Sequence, residues 1–149
     1  MSRVAVRTIL RLMGGLAAGC MAAHALAASF TPGPGTTPGR EGVSTAGGFF
    51  VAYVPTPDPI PLNELCTLTV RVSDSRDPAQ PITDAAVTAS AWMPAHDHGT
   101  ALQPRVESHG DGTATVSGLL LHMAGHWELR LGIARKGQME RVTFHVLIE

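Results

Sequence analysis

Two short segments of the chain combine histidine with methionine, two residues whose side chains bind soft metal ions. The first is Met93-Pro94-Ala95-His96-Asp97-His98-Gly99, and the second is His122-Met123-Ala124-Gly125-His126-Trp127. Imidazole nitrogen together with thioether sulfur favours copper, and the thioether favours Cu(I) in particular, because soft sulfur suits the softer ion. The segments therefore predict a copper site, with the candidate ligands Met93, His96, His98, Met123, His122 and His126.

The spacing within these segments suits a shared ion. If the chain is extended at His96 and His98, the two side chains leave the same side of the backbone roughly 6 to 7 Å apart. Pro94 is expected to turn the chain into a loop just after a strand ends. We expect the second segment to form the turn of a hairpin, so that both segments meet at one end of the domain.

A simpler interpretation of the same residues needs no metal. Histidines at strand ends are often solvated loop residues, and Met93 and Met123 could be core residues. His-x-His beside a methionine, matched by His-Met in a second turn, favours the metal site over that alternative. His109 and His145 are interpreted as ordinary surface residues.

The elements that position these segments show the periodicity of β-strands. About seven short apolar runs, separated by turn residues and without helical periodicity, predict an all-β, immunoglobulin-like antiparallel β-sandwich of about seven strands. Alternation along residues 63–72 places Cys66 on the inward face, as a small buried residue rather than a metal ligand. Trp127 is the expected core anchor. The runs are residues 48–54, 63–72, 85–93, 102–106, 113–121, 127–133 and 142–148.

Residues 1–27 have the parts of a secretory signal peptide. A basic start precedes an apolar stretch over residues 12–23 and the small residues Ala25-Leu26-Ala27, which predicts cleavage after Ala27. Two alternatives stay open: retention of this segment as an apolar anchor, and lipidation of Cys20, which follows residues similar to a lipobox. Membrane association is expected only in those two cases.

The remainder is predicted to be one extracytoplasmic domain. Residues 28–46 are rich in proline and glycine and predict a flexible tether, which leaves residues 47–149 as a single β-sandwich domain. The first 27 residues contain no acidic residue, so the rest is acidic overall, which argues against nucleic acid as a partner. Cys66 is the only cysteine beyond the signal peptide, so no internal disulfide is expected.

The two segments, together with the Gly110-Asp111-Gly112 turn, resemble the YtkA-like domain family, which is related to the FixH-like proteins. The resemblance covers residues 49–149. It implies a small extracytoplasmic sandwich that is linked to copper handling and to maturation of respiratory copper oxidases. It also implies Met93, His96, His98 and Met123 as ligands. The chain departs from the family pattern at Ala124, where relatives often have proline, and at Asp97, where a small residue is usual.

These observations predict an exported copper-binding protein, not an enzyme, that carries or delivers copper, with Cu(I) favoured. The expected partner is a copper-receiving envelope or oxidase-assembly protein. Two alternatives remain: a metal-free envelope interaction domain, and a copper enzyme of the superoxide dismutase type. For that enzyme no bridging histidine can be assigned, and Cys66 has no partner for the stabilising disulfide. Delivery and sequestration of copper are not distinguished.

Mass spectrometry of the protein taken from its native envelope tests the predicted export. We expect an N-terminus at or near Ala28, because the small residues before it suit the signal peptidase. An intact chain, or lipid attached to Cys20, would refute cleavage at this position.

Overall fold

The computed structural model describes residues 39–149. Its strands, in chain order, are β1 (Glu41–Val43), β2 (Phe49–Thr56), β3 (Leu65–Asp74), β4 (Ala86–Met93), β5 (His98–Gly99), β6 (Arg105–Ser108), β7 (Thr113–Leu120), β8 (Gly125–Arg135) and β9 (Gln138–Ile148). They form a five-stranded sheet, in the order β1-β2-β3-β7-β6, and a four-stranded sheet, in the order β5-β4-β8-β9. All neighbouring strands pair antiparallel, and the all-β sandwich prediction is confirmed.

The core lies between the sheets, where the inward faces of the alternating strands meet. In β3, Cys66, Leu68 and Val70 are buried while Thr69 is exposed, as alternation predicts. Burial raises the pKa of the Cys66 thiol, which keeps it neutral. The opposing face of β8 contributes Trp127, Leu129, Leu131 and Ile133, all at most 2% exposed.

Each of the seven predicted runs corresponds to one strand of four residues or more. β1 and β5 have three and two residues, too few to show an alternating pattern in the sequence. The remaining differences are in the strand bounds. β6, for example, starts at Arg105, three residues after the start of the predicted run.

The first predicted run ends before Pro55, but β2 continues through Pro55, which pairs with Leu68 of β3. On the other side of β2, the Tyr53 N–H donates to the Arg40 carbonyl at 3.0 Å, and β1 pairs only as far as Ala52. The nitrogen of Pro55, two residues after Tyr53, therefore lies on the side where the strand is an open edge. Proline is tolerated there because no ladder hydrogen bond is lost.

The predicted tether over residues 28–46 is wrong where β1 forms. β1 pairs with β2, and a methyl group placed on Gly42 would lie 3.5 Å from the side chains of Phe144 and Val142 in β9. The Thr45 N–H then donates to the Arg141 carbonyl at 2.8 Å. The chain thus crosses from the first sheet to the edge of the second. The three-residue strand β1 is too short to be recognised in a sequence segment rich in proline and glycine.

Residues 1–38, with the predicted signal peptide and Cys20, lie outside the described residues. Within residues 39–149, no helix has the length and apolar character needed to span a bilayer.

The histidine and methionine segments lie at the same end of the sandwich. The end of β4 pairs with the start of β8 through Trp92 and Glu128, and the start of β8 pairs with the end of β9. β7 ends in the five-stranded sheet and β8 begins in the four-stranded sheet. Residues 121–124 therefore cross from one sheet to the other, and the hairpin predicted for this segment is wrong.

Replacing Glu140 with glutamine tests the attachment of residues 44–48 to β9. The Ser44 hydroxyl donates to Glu140 Oε2 at 2.6 Å, and the Gly48 N–H donates to it at 3.1 Å. These hydrogen bonds lower the pKa of the Glu140 carboxyl. Because the pKa of Glu140 is lower in the folded chain than in the unfolded chain, the ionised carboxylate stabilises the fold at pH values above its ordinary pKa of 4.5. This contribution is lost as the pH falls through the pKa of the folded state.

We therefore expect Glu140→Gln to lower the urea midpoint at neutral pH, with a difference from the parent that shrinks as the pH falls below about 4.5. Glu107→Gln, at an exposed position of β6, is the control. A difference between Glu140→Gln and the parent that does not change with pH would contradict this account.

Candidate functional site

Three histidines form a cluster at the end of the sandwich. The ring centroids of His96 and His98 are 5.9 Å apart, and those of His98 and His122 are 5.2 Å apart. Trp127 meets His98 and His122 in edge contacts, at 5.8 and 5.6 Å. We call His96, His98 and His122 the histidine cluster. It joins residues from both sequence segments.

The first segment reaches the cluster through a tight turn rather than an extended chain. Pro94 opens a single turn of 3-10 helix (Pro94–His96), where its missing N–H costs no hydrogen bond. Asp97 then adopts a left-handed conformation, with φ 54 and ψ 39, which aspartate tolerates better than most residues. The chain returns along β5, so that His98 pairs with Met93. The turn expected at Pro94 therefore forms, and an extended chain is found only at His98, in β5.

The tautomer of His98 follows from its hydrogen bond. His98 Nδ1 lies 2.9 Å from the Gly99 carbonyl oxygen, and a carbonyl can only accept. Nδ1 must carry the proton, so in the neutral ring the free lone pair is on Nε2. A backbone carbonyl that orients one ring nitrogen in this way is a common partner of metal-binding histidines.

The ring of His122 has a buried nitrogen with no hydrogen-bond partner among the protein atoms. Among residues 39–149, His122 Nδ1 is the one buried side-chain nitrogen or oxygen atom without a hydrogen-bond partner. Such atoms are rare in folded proteins, because an unmade hydrogen bond at a buried group costs about 1 to 3 kcal/mol. A bound metal ion would satisfy this nitrogen by accepting its lone pair.

The ring separations fit pairs of imidazoles that share an ion. At metal–nitrogen distances of about 2.0 to 2.1 Å, two such ligands place their ring centroids roughly 5 to 6.5 Å apart. The separations of 5.9 Å for His96 and His98 and 5.2 Å for His98 and His122 fall in this range, with ring planes 43° and 27° apart. Within residues 39–149, however, no three side chains of histidine, cysteine, aspartate or glutamate converge on one ion. The cluster therefore offers pairs of imidazoles, and further donors would have to be of another kind.

Met93 connects the cluster to the core. Its side chain is 2% exposed, and it lies in β4 opposite His98. A methyl group placed on Gly125 would come within 2.7 Å of Met93 Cε, so the end of this side chain contacts the second segment directly. Gly125 has φ +126 and leaves room for Met93 at this point. Met93 is thus a core residue of the first segment that contacts the second segment.

Met123 and Trp127 hold the second segment in place. Met123 is half-buried and packs against the core. The Trp127 indole Nε1–H donates to the Met123 carbonyl oxygen at 2.9 Å. Because the indole is fully buried, this bond fixes the crossing segment against a rigid part of the core.

His126 is not brought into the cluster. It is exposed, pairs with Leu147 of β9 and precedes the inward-facing Trp127. Adjacent residues of a strand point to opposite faces, so His126 lies on the outer face of the sheet.

Sequence patterns identify Trp127 as a core residue but not as a neighbour of two histidines. That contact depends on the crossing between sheets, which no local pattern indicates. The Gly99 carbonyl also escapes sequence analysis, because it acts through the backbone.

Trp127→Phe tests how the second segment is positioned. The substitution keeps an aromatic ring in the core but removes the donor to the Met123 carbonyl. We expect a loss of about 1 kcal/mol or more in the free energy of unfolding and faster hydrogen exchange at the Ala124 and Gly125 amides. Urea unfolding and exchange monitored by nuclear magnetic resonance measure the two effects.

Trp92→Phe is the matched control for this experiment. Trp92 is half-buried on the outer face beneath the Arg130 guanidinium, 5.4 Å from its ring centroid, and phenylalanine keeps that contact. Equal exchange rates at Ala124 and Gly125 in the parent and in Trp127→Phe would contradict the positioning role.

Comparison with known proteins gives the family of the chain. No curated protein matches the chain. The model of the YtkA-like family matches residues 51–132, more than half of the chain, and this region contains the histidine cluster, Met93 and Met123. The chain belongs to the YtkA-like family.

Proposed function

We propose that this protein binds copper, preferentially as Cu(I), and carries or delivers it outside the cytoplasm. The observation that carries the proposal is the buried and unpartnered Nδ1 of His122 beside His98. The Gly99 carbonyl holds the His98 ring in the tautomer that leaves Nε2 free. In the His122 tautomer with its proton on Nε2, the Nδ1 lone pair would lie in a ring whose separation from His98 fits a shared ion.

The choice of copper depends on the sulfur ligands near this pair. Met93 and Met123 belong to the same two segments as His98 and His122, and thioether sulfur favours Cu(I) while contributing little to zinc sites. Thioethers are neutral, as is the imidazole of a ligand, so the site adds no negative charge that would favour a harder ion. The likeness to the YtkA-like family, which implies copper handling, supports the same ion.

Carriage fits the exposure of the site better than permanent retention. His96 is exposed and His98 is half-buried, so a partner protein can reach the ion from one side. A closed set of four protein ligands would hold an ion as part of the structure, whereas an open site lets an incoming ligand replace an outgoing one. We propose a copper-receiving envelope or oxidase-assembly protein as the partner.

Competition titration with a Cu(I) chelator tests this function. We expect the parent to bind Cu(I), and His122→Ala to weaken binding by about tenfold or more, because a direct ligand is lost. Met93→Leu keeps most of the core volume and should also weaken Cu(I) binding, with little effect on any zinc binding. Emission from Trp127, which touches both rings, gives a second signal for binding.

His126→Ala is the matched control, because this exposed histidine belongs to the same segment but lies outside the cluster. It should bind Cu(I) like the parent. A parent that binds no Cu(I), or a His122→Ala variant with parental affinity, would contradict the proposal and favour a metal-free interaction domain.

A further inference from the structure

We infer that the outer face of the four-stranded sheet is a docking surface for an acidic peptide segment of a partner protein. The groups that recognise this segment are the guanidiniums of Arg130 and Arg141, which line one groove on that face. This inference goes beyond the proposed copper binding and is tested without copper.

Two adjoining cavities form this groove, which we call the outer groove. One cavity, of about 460 Å³, lies over β4, β8 and β9, and the other, of about 330 Å³, extends to β5. Ser90 and Arg130 line both cavities, so the two are continuous. Gly132 pairs with Thr88 on one side and with Arg141 on the other, and its missing side chain leaves space between β4 and β9.

Arg141 supplies a positive charge that nothing in the described chain neutralises. It is exposed, and within residues 39–149 its guanidinium forms neither an ion pair nor a hydrogen bond. Two carboxylates of the same sheet are already engaged, Glu128 with Arg130 and Glu140 with residues 44–48. A carboxylate from another molecule is therefore the group that suits Arg141.

Arg130 is held in place before any ligand binds. Its Nε and Nη2 donate to Glu128 Oε2 at 3.0 and 2.7 Å, and its guanidinium lies 5.4 Å from the ring centroid of Trp92. These bonds use two of the five N–H groups of a guanidinium, and the others can donate to a ligand. Because the side chain is already fixed on two sides, binding an acidic group costs little further side-chain entropy.

The two arginines are placed to act on one ligand. Arg130 pairs with Thr143 and Arg141 pairs with Gly132, so the arginines occupy diagonal positions on β8 and β9. Diagonal neighbours are about 7 to 8 Å apart, which two long side chains can span. The pair can therefore bind neighbouring carboxylates of one extended segment.

The charge of the whole domain makes such binding specific to the groove. The chain has 12 acidic and 11 basic residues, and three of the basic residues lie before residue 39. Residues 39–149 are therefore acidic overall and repel an acidic peptide, except where cationic groups are grouped together. One end of the outer groove reaches Gly99, the residue after His98, so a partner held here would lie beside the histidine cluster.

The probe for this inference is a synthetic peptide of alternating glutamate and serine that carries a neutral dye. Fluorescence anisotropy with the full, metal-free chain at low ionic strength gives its affinity. We expect Arg141→Gln to weaken binding by about fivefold, as for the loss of an exposed ion pair, and added salt to weaken binding to the parent. Ser90→Leu keeps every charge but fills the junction of the two cavities, and it should also weaken binding.

Arg105→Gln is the matched control. This exposed arginine lies on β6 in the other sheet, and its replacement changes the net charge by the same amount, so the variant should bind like the parent. In nuclear magnetic resonance spectra of the parent, the peptide should shift the amide signals of Ser90 and Gly132 but not that of Glu107 on β6.

Several results would overturn the docking surface. They are a parent that does not bind the peptide, an Arg105→Gln variant that loses as much affinity as Arg141→Gln, and signal shifts on the five-stranded sheet. Equal binding of a peptide of alternating lysine and serine would overturn it as well. None of these results bears on Cu(I) binding, so the proposed function is judged separately by the chelator titration.

Discussion

The indole of Trp127 is fully buried at the end of the sandwich, and its Nε1–H donates to the Met123 carbonyl at 2.9 Å. That bond fixes the segment that crosses between the sheets and carries His122. The same ring contacts both His98 and His122, so the two imidazoles are stacked at 5.2 Å over a rigid base. The geometry of the candidate site therefore depends on the packing of the core rather than on the loops alone.

This arrangement would link stability to the proposed metal binding through the same residues. Met93 is a core residue by burial and a ligand candidate by chemistry, and its end fits against Gly125 because that position has no side chain. The buried thioether and the shielded nitrogen of His122 lie inside, and the exposed His96 lies outside. In the proposed function, an ion would thus be bound by buried groups while one side of the site stays accessible to another protein.

The sequence predicts the fold well where strands are long and half-buried. Alternation in β3 and β8 identifies the inward faces, including Cys66, because only one face of each strand packs in the core. β1 is missed because three residues cannot show a period, and Pro55 is misjudged because its tolerance depends on an open edge beside β2. Both features are set by neighbours distant in sequence.

The sequence also predicts the residue types of the candidate site, but not their arrangement. Pro94 indicates the turn at the end of β4, but the left-handed conformation of Asp97, which returns the chain along β5, is not evident from the sequence. The inward position of Trp127 requires its neighbour His126 to face outward, so alternation alone separates His126 from the site. No local sequence pattern indicates that His122 stacks on His98, because that contact forms only when the two sheets pack against each other.

X-ray absorption spectroscopy of the full chain loaded with Cu(I) tests the central claim most directly. We expect imidazole nitrogen together with at least one sulfur ligand, and the loss of one imidazole in His122→Ala. Copper bound without sulfur, or a spectrum unchanged by His122→Ala, would contradict it.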